Sequence, residues 1–158
     1  RQQLEYTILT DFILSNTDRH YYNFGFLYHP QLHRLVKMAP VFDTGNSLFY
    51  NKEIIPQGSN LLDVTVNSFK KKEVSLLEYV SKSDLVGIGK LESFPKEVYN
   101  LLTYNTDMPD ERAKSISGTV QQKLEYLKLF QQGKKIWKKE NRFLIRQLRI
   151  ITIKHAGW

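Results

Sequence analysis

The sequence predicts a mainly α-helical fold with one small β-hairpin. Apolar residues recur at helical spacing near the start of the chain and again through its second half. Two short apolar runs flank the turn-like sequence His29-Pro30-Gln31. The length of 158 residues suits one domain, and 41% hydrophobic with 25% charged residues is typical of a globular protein. We therefore expect a single domain over residues 1–158.

The first predicted element is a helix over residues 2–15. Its apolar residues are three to five positions apart, which places them on one helix face. The polar cluster from Ser15 to His20 should end it. The predicted buried residues are Leu4, Ile8, Leu9, Phe12 and Ile13.

The hairpin follows, with one strand from Phe24 to Tyr28 and the other from Leu35 to Met38. Ala39-Pro40-Val41-Phe42 then leads into a second polar turn, at residues 43–47. Residues 50–62 are interrupted by proline, glycine and asparagine, and this composition predicts a loop.

Helices fill the predicted remainder, from about residue 70 to residue 151. Glu73 to Val80 is the first of them, and Ser93 with Pro95 begins a second over 95–104. A third runs from Pro109 to about Gln132, where Gly133 stops it, and a last helix covers 134–151. The apolar stripe of the third helix is Ala113, Ile116, Val120, Leu124 and Leu127.

Composition excludes several classes of function. The absence of cysteine rules out disulfides, zinc-thiolate sites and a cysteine nucleophile. No apolar run approaches the roughly 20 residues that span a bilayer, and no signal peptide is visible. We expect a cytoplasmic protein without a membrane partner. Because the chain begins with Arg1 inside an apolar-periodic segment, we also expect it to belong to a longer protein.

The formal net charge of +7 arises mainly late in the chain. Such a basic stretch can bind nucleic acid or another polyanion. It can equally be a solvated helix face whose long side chains cover apolar neighbours. The basic residues are Lys134, Lys135, Lys138, Lys139, Arg142, Arg146, Arg149 and Lys154.

Two polar clusters are the candidates for chemistry. Asp18 and Asn23 precede the hairpin and Asp43 follows it, so a hairpin would return all three to one place. Two carboxylates and an amide are oxygen ligands of the kind that Mg²⁺ prefers. Asp followed five residues later by Asn, and then Asp-x-Gly, is the spacing of kinase catalytic and metal-binding loops. The same residues can instead cap a helix and form an ordinary β-turn.

The full strings add a family resemblance. Residues 11–25, DFILSNTDRHYYNFG, resemble the catalytic segment of HipA-like kinases, in which Asn-x-Asp-x-His-x-x-Asn precedes a short strand. Residues 39–48, APVFDTGNSL, resemble that family's second motif. The likeness covers residues 4–48. The Asp-Arg-His-x-x-Asn core is also similar to phosphatidylinositol-type kinases. The resemblance implies a HipA-like, protein-kinase-like C-terminal lobe whose N-terminal lobe is absent.

The resemblance also implies roles. Asp18 would be the catalytic base, and His20 would support it by bracing the loop. Asn23 and Asp43 would be the cofactor-binding and metal-binding residues that hold Mg²⁺ on ATP. The expected acceptor is a serine or threonine hydroxyl of a protein, in a bacterial or phage serine/threonine kinase with a possible DNA-binding antitoxin partner of a toxin-antitoxin system.

Other parts of a kinase are missing from the sequence. It has no Gly-x-Gly-x-x-Gly, and no lysine precedes Asp18, because the first lysine is Lys37. We therefore expect an N-terminal lobe, from the same or another chain, to complete the enzyme, and we expect this fragment alone to be nearly inactive. The alternatives are a non-catalytic pseudokinase or interaction module that binds a protein or nucleic acid, and a metal-dependent phosphohydrolase.

Overall fold

A computed structural model describes residues 1–104 and 107–138. The fold is mainly helical with one two-stranded antiparallel sheet, and this part of the prediction is confirmed. Short 3-10 turns connect the longer elements and lie at Tyr21–Asn23, Gly58–Asp63, Glu73–Tyr79, Ser83–Leu85 and Ile88–Leu91. The main elements in chain order are α1 (Gln2–Leu14), β1 (Phe26–His29), β2 (Arg34–Met38), α2 (Phe94–Thr103) and α3 (Asp110–Gln131).

The core forms where α1 and α3 pack around the 3-10 turns between them. The predicted stripe of α3 is buried along its whole length, and on α1 only Leu4 remains partly exposed. Leu61, Leu62 and Leu77 of the 3-10 turns are fully buried between these helices. Each fully buried side chain of this size stabilises the fold by about 1.5–3 kcal/mol. Both apolar stripes are thus confirmed.

Several boundaries differ from the predictions. The segment from Glu73 forms a 3-10 turn instead of an α-helix, and part of the predicted 50–62 loop is the Gly58–Asp63 turn. Residues 134–138 are irregular, with a turn at 136–137, and Gly133 before them has a φ of 84°. The predicted helix 134–151 therefore does not begin at 134, and its remainder lies outside the described residues.

The hairpin projects from this core with both faces largely exposed. Its strands pair Phe26 with Met38 and His29 with Arg34, with an irregularity in register after Leu27. Only Met38 is buried, and its N–H donates to Gln3 Oε1 of α1 at 3.1 Å. The hairpin is therefore attached to the core at its base. No helix in the part of the chain that the structure describes is long and apolar enough to cross a membrane.

A buried ion pair crosses the core beside α1. Lys123 of α3 donates to Glu73, both side chains are at most 1% exposed, and Lys123 Nζ lies 4.2 Å from the ring centroid of Phe12. Burial raises the pKa of Glu73 and lowers the pKa of Lys123. Removing one partner of such a pair typically costs 3–5 kcal/mol, because the other charge stays buried alone.

A second buried carboxylate holds α1 to the segment after the Glu73–Tyr79 turn. Glu5 accepts hydrogen bonds from the backbone N–H groups of Ser81 at 3.0 Å and Lys82 at 2.9 Å. Ser81 Oγ and Arg1 Nε donate as well, each at 2.8 Å. The Lys82 N–H is the largest cause, and these donors together lower the pKa of Glu5 to about 2.

We expect Glu5→Gln to make the stability of the protein less dependent on acid pH. A lowered carboxylate pKa means that the unfolded chain binds more protons, so Glu5 stabilises the fold above its ordinary pKa of 4.5. That contribution is lost as the pH falls towards about 2. Urea unfolding at pH 7, 4, 3 and 2 measures the free energy of unfolding. We expect it to be larger for wild type than for the variant at pH 7, and the difference to become smaller below pH 4.5. The exposed Glu92→Gln is the control, and a difference for Glu5→Gln that stays constant with pH would contradict the assignment.

Candidate functional site

The site begins where α1 ends. Ser15 adopts left-handed backbone angles of φ 52° and ψ 49°, and Asn16 N–H donates to the carbonyl of Asp11 at 2.9 Å. A left-handed residue closes a helix by satisfying its last carbonyls and turning the chain away. Ser15 thereby directs residues 16–23, the polar loop, across the end of the helix.

A buried arginine fastens this loop. Arg19 Nε donates to Asp11 Oδ2 at 2.8 Å and Arg19 Nη2 to Asp11 Oδ1 at 2.9 Å, with both side chains 3% exposed. Arg19 Nη1 donates to two backbone carbonyls, that of Asn23 and that of Phe42, the latter at 2.7 Å. One guanidinium group thus joins α1, the polar loop and the segment that follows the hairpin.

Asp18, the predicted catalytic base, is 30% exposed and held from two sides. Its Oδ1 accepts from Asn67 Nδ2 at 2.7 Å and its Oδ2 from Asn46 Nδ2 at 2.9 Å. Its backbone N–H donates to Asn16 Oδ1 at 3.2 Å. Because each carboxylate oxygen has two lone pairs, the amides orient Asp18 and leave it able to accept a further hydrogen bond.

His20 caps the start of the Tyr21–Asn23 turn next to Asp18. Its Nδ1 accepts from the N–H of Tyr22 at 3.2 Å, so a neutral ring carries its proton on Nε2. His20 Nε2 lies 3.8 Å from Asp18 Oδ2, which is beyond hydrogen-bond distance. The ring therefore caps the turn and faces the carboxylate, a geometry suited to the bracing role expected from the sequence.

Asn23 and Asp43 differ in their surroundings. Asn23 is buried, its Nδ2 donates to the carbonyl of Asp18 at 2.6 Å, and its amide oxygen is the atom suited to a metal. Asp43 is exposed, with φ at 53° in the left-handed region that aspartate tolerates better than most residues. The backbone carbonyl of its neighbour Phe42 accepts a hydrogen bond from Arg19.

The two predicted clusters meet in space. The carbonyl oxygens of Asn23 and Phe42 share one nitrogen of Arg19, so they lie within roughly 6 Å of each other, twice a hydrogen-bond length. On the far side of Asp43, the carbonyl of Asn46 accepts from Thr17 N–H at 3.0 Å. The chain segment that carries Asp43 is thus bonded to the polar loop on both sides.

The oxygen donors of the site can be compared with the ligands that a divalent cation requires. No cluster of three His, Cys, Asp or Glu side chains suited to a metal occurs within residues 1–104 and 107–138. The expected set is smaller, one carboxylate from Asp43 and one amide oxygen from Asn23, and Mg²⁺ in phosphoryl-transfer sites completes such a set with phosphates and water. The donor types fit Mg²⁺.

Several residues of the site were not predicted. The segment 11–25, which resembles the kinase catalytic segment, contains Asp11, Asn16 and Arg19. No pattern in the sequence indicates that these three residues form one buried network. Asn46 lies within the second string, where its contact with Asp18 was not foreseen. Asn67 lies outside both strings, and nothing local to residues 60–70 distinguishes it from a turn residue.

Comparison with known proteins identified no similar protein. No protein-family model matches the chain, and neither a curated protein nor a solved structure shows significant similarity to it.

We expect Arg19→Lys to destabilise the fold by about 3 kcal/mol, the lower end of the cost of breaking a buried pair. Lysine keeps the charge, but it cannot bind Asp11 through two nitrogens and reach both carbonyls as well. Urea unfolding measures the change. The exposed Arg34→Lys on β2 is the matched control and should stay within about 0.5 kcal/mol of wild type. A loss below 1 kcal/mol for Arg19→Lys would contradict the structural role of the guanidinium group.

Proposed function

We propose that this chain is the C-terminal catalytic lobe of an ATP- and Mg²⁺-dependent, HipA-like protein serine/threonine kinase. The reaction would transfer the γ-phosphoryl group of ATP to a protein hydroxyl. An N-terminal lobe, in the same or another chain, would supply the glycine-rich loop and lysine that grip the nucleotide.

The main support for this proposal is that Arg19 donates hydrogen bonds to two backbone carbonyls, those of Asn23 and Phe42. Arg19 holds Asn23 next to the segment of Asp43, although hairpin residues separate the two in sequence. Both residues are oxygen donors of the type needed for Mg²⁺ on phosphates. Two isolated turns, the other interpretation of these motifs, would not require a shared buried anchor.

The proposed role of each site residue follows from what phosphoryl transfer requires. Phosphoryl transfer depends mainly on positioning and on neutralising charge, and little on covalent help from the protein. Asp18, oriented by two amides, would accept the proton of the acceptor hydroxyl. His20 would keep the loop in shape. Asn23 and Asp43 would hold the cation that neutralises the phosphates.

A second candidate is a non-catalytic pseudokinase or interaction module. The exposed hairpin favours it, because Phe26, Tyr28, Leu35 and Val36 are each more than half exposed. Exposed apolar surface of this kind marks binding sites for other chains. The basic residues that would favour a nucleic-acid partner lie mostly after residue 138, outside the described residues.

We expect Mg²⁺-ATP binding to require both the missing lobe and Asp43. Calorimetry on this chain and on the protein extended upstream should show binding only in the extended form. Asp43→Ala should abolish that binding, because it removes the one carboxylate of the proposed ligand set. Asp107→Ala, an exposed aspartate in a loop, is the control. Absence of binding in both forms would contradict the kinase proposal and favour the interaction module.

We expect Asp18→Asn in the extended protein to lower turnover about 10²- to 10⁴-fold, the usual contribution of a general base. Its Mg²⁺-ATP affinity should stay within twofold of wild type, since Asp18 is not in the ligand set. Phosphate transfer to dephosphorylated casein measures the first and calorimetry the second, with the exposed Asp84→Asn as control. Turnover within threefold of wild type would contradict the role of Asp18 as base.

A further inference from the structure

A cleft of about 690 Å³ opens beside Asp18. Thr17 and Asn67 line it, and Asn67 is the residue whose amide holds Asp18 Oδ1 at 2.7 Å. The catalytic candidate therefore lies one hydrogen bond away from the lining of the cleft. None of the site residues predicted from the sequence lines this cleft.

Segment 49–58 forms one wall, which is fastened to α3 at both ends. Arg112 donates to the carbonyls of Phe49 at 3.0 Å, Tyr50 at 3.1 Å and Lys52 at 2.8 Å. At the other end Gln57 Nε2 donates to the carbonyl of Ser115 at 3.1 Å. The wall is therefore anchored to α3 near both of its ends.

Residues 63–67 form a second part of the lining and are held by their own contacts. Thr65 pairs with Lys72 in an antiparallel bridge, and Val66 N–H donates to the carbonyl of Lys71 at 3.0 Å. Asn67 N–H donates to the carbonyl of Thr17 at 2.8 Å, which connects this part of the lining to the polar loop. A cleft whose lining is anchored in this way binds without a large ordering cost.

The lining combines apolar, polar and charged side chains. Ile54 is 85% exposed and contributes apolar surface that a partner can cover. Lys52 forms no ion pair within the part of the chain that the structure describes, whereas Asp63, the other charged residue of the lining, is paired with Lys72. Among the lining residues the unpaired charge is therefore that of Lys52, and it favours an acidic group in the part of the ligand that lies against it.

We propose that this cleft binds the acceptor polypeptide. The bound segment presents a serine or threonine hydroxyl towards Asp18, places an apolar side chain on Ile54 and an acidic side chain against Lys52. This inference rests on the proposed kinase function for the purpose of the site, while the binding itself needs no nucleotide.

Peptide selection without ATP tests the cleft directly. A displayed library of 12-residue peptides with one central serine is selected on this chain, and the selected peptides are measured by fluorescence anisotropy. We expect enrichment of aspartate or glutamate at one position. Lys52→Glu should weaken binding about five- to tenfold at low salt, less at high salt, because an exposed charge pair is screened. Ile54→Ser should weaken it about tenfold through lost apolar burial.

A charge swap separates recognition from misfolding. Peptides in which the enriched acid is replaced by lysine should bind Lys52→Glu better than wild type. Lys96→Glu, at an exposed position of α2, is the matched control and should bind like wild type. No selectable peptide, or equal binding by wild type and Lys52→Glu, would overturn the proposal.

The same peptides distinguish failure of the cleft from failure of the kinase assignment. Peptides that bind with the expected Lys52 dependence but receive no phosphate in the extended protein would contradict the kinase function and leave the cleft as a peptide-binding site. Phosphate transfer whose acceptor preference is unchanged by Lys52→Glu would support the kinase function and overturn the cleft.

Discussion

The ion pair between Asp11 and Arg19 is the contact on which the rest of the site depends. Its two charges are removed from water, so the pair is stable only if its remaining hydrogen-bonding capacity is used. Asp11 accepts from Asn16 as well as from Arg19, and Arg19 donates to the carbonyls of Asn23 and Phe42. Because Asp11 belongs to α1, the polar loop and the segment carrying Asp43 take their positions from the helix.

The second buried pair, between Glu73 and Lys123, lies beside the same end of α1. Phe12 follows Asp11 in the helix and lies against Lys123. Burial is the main cause of the raised pKa of Glu73, and the negative charge of Asp11 adds to it. Apolar residues of similar size often stabilise a core as well as a buried pair does. We infer that these pairs serve orientation, since the Asp11–Arg19 pair connects α1 to the polar loop and the Glu73–Lys123 pair connects α3 to the Glu73–Tyr79 turn beside Phe12.

Backbone strain lies beside the site as well. Leu48 and Phe49 follow one another with φ values of 56° and 54°, a left-handed conformation that costs a bulky residue roughly 1–2 kcal/mol. Burial of Phe49 and the three carbonyl contacts of Arg112 offset that cost. The strained turn sends the chain from the Asp43 segment into the wall of the cleft, so one short corner connects the metal-binding candidate with the proposed peptide site.

Periodicity alone determined the helices α1 and α3 with their buried faces, because a 3.6-residue repeat identifies the apolar side without knowledge of its partner. Turn chemistry between two apolar runs likewise determined the hairpin. The polar clusters identified Asp18, Asn23 and Asp43 as candidates. Only the tertiary structure decided that Arg19 is buried and joins the clusters, and that Asn67 reaches Asp18 from 49 residues away. The physical reason is that a local pattern records which face a residue prefers, whereas hydrogen-bond partners distant in sequence are chosen by how the whole chain packs.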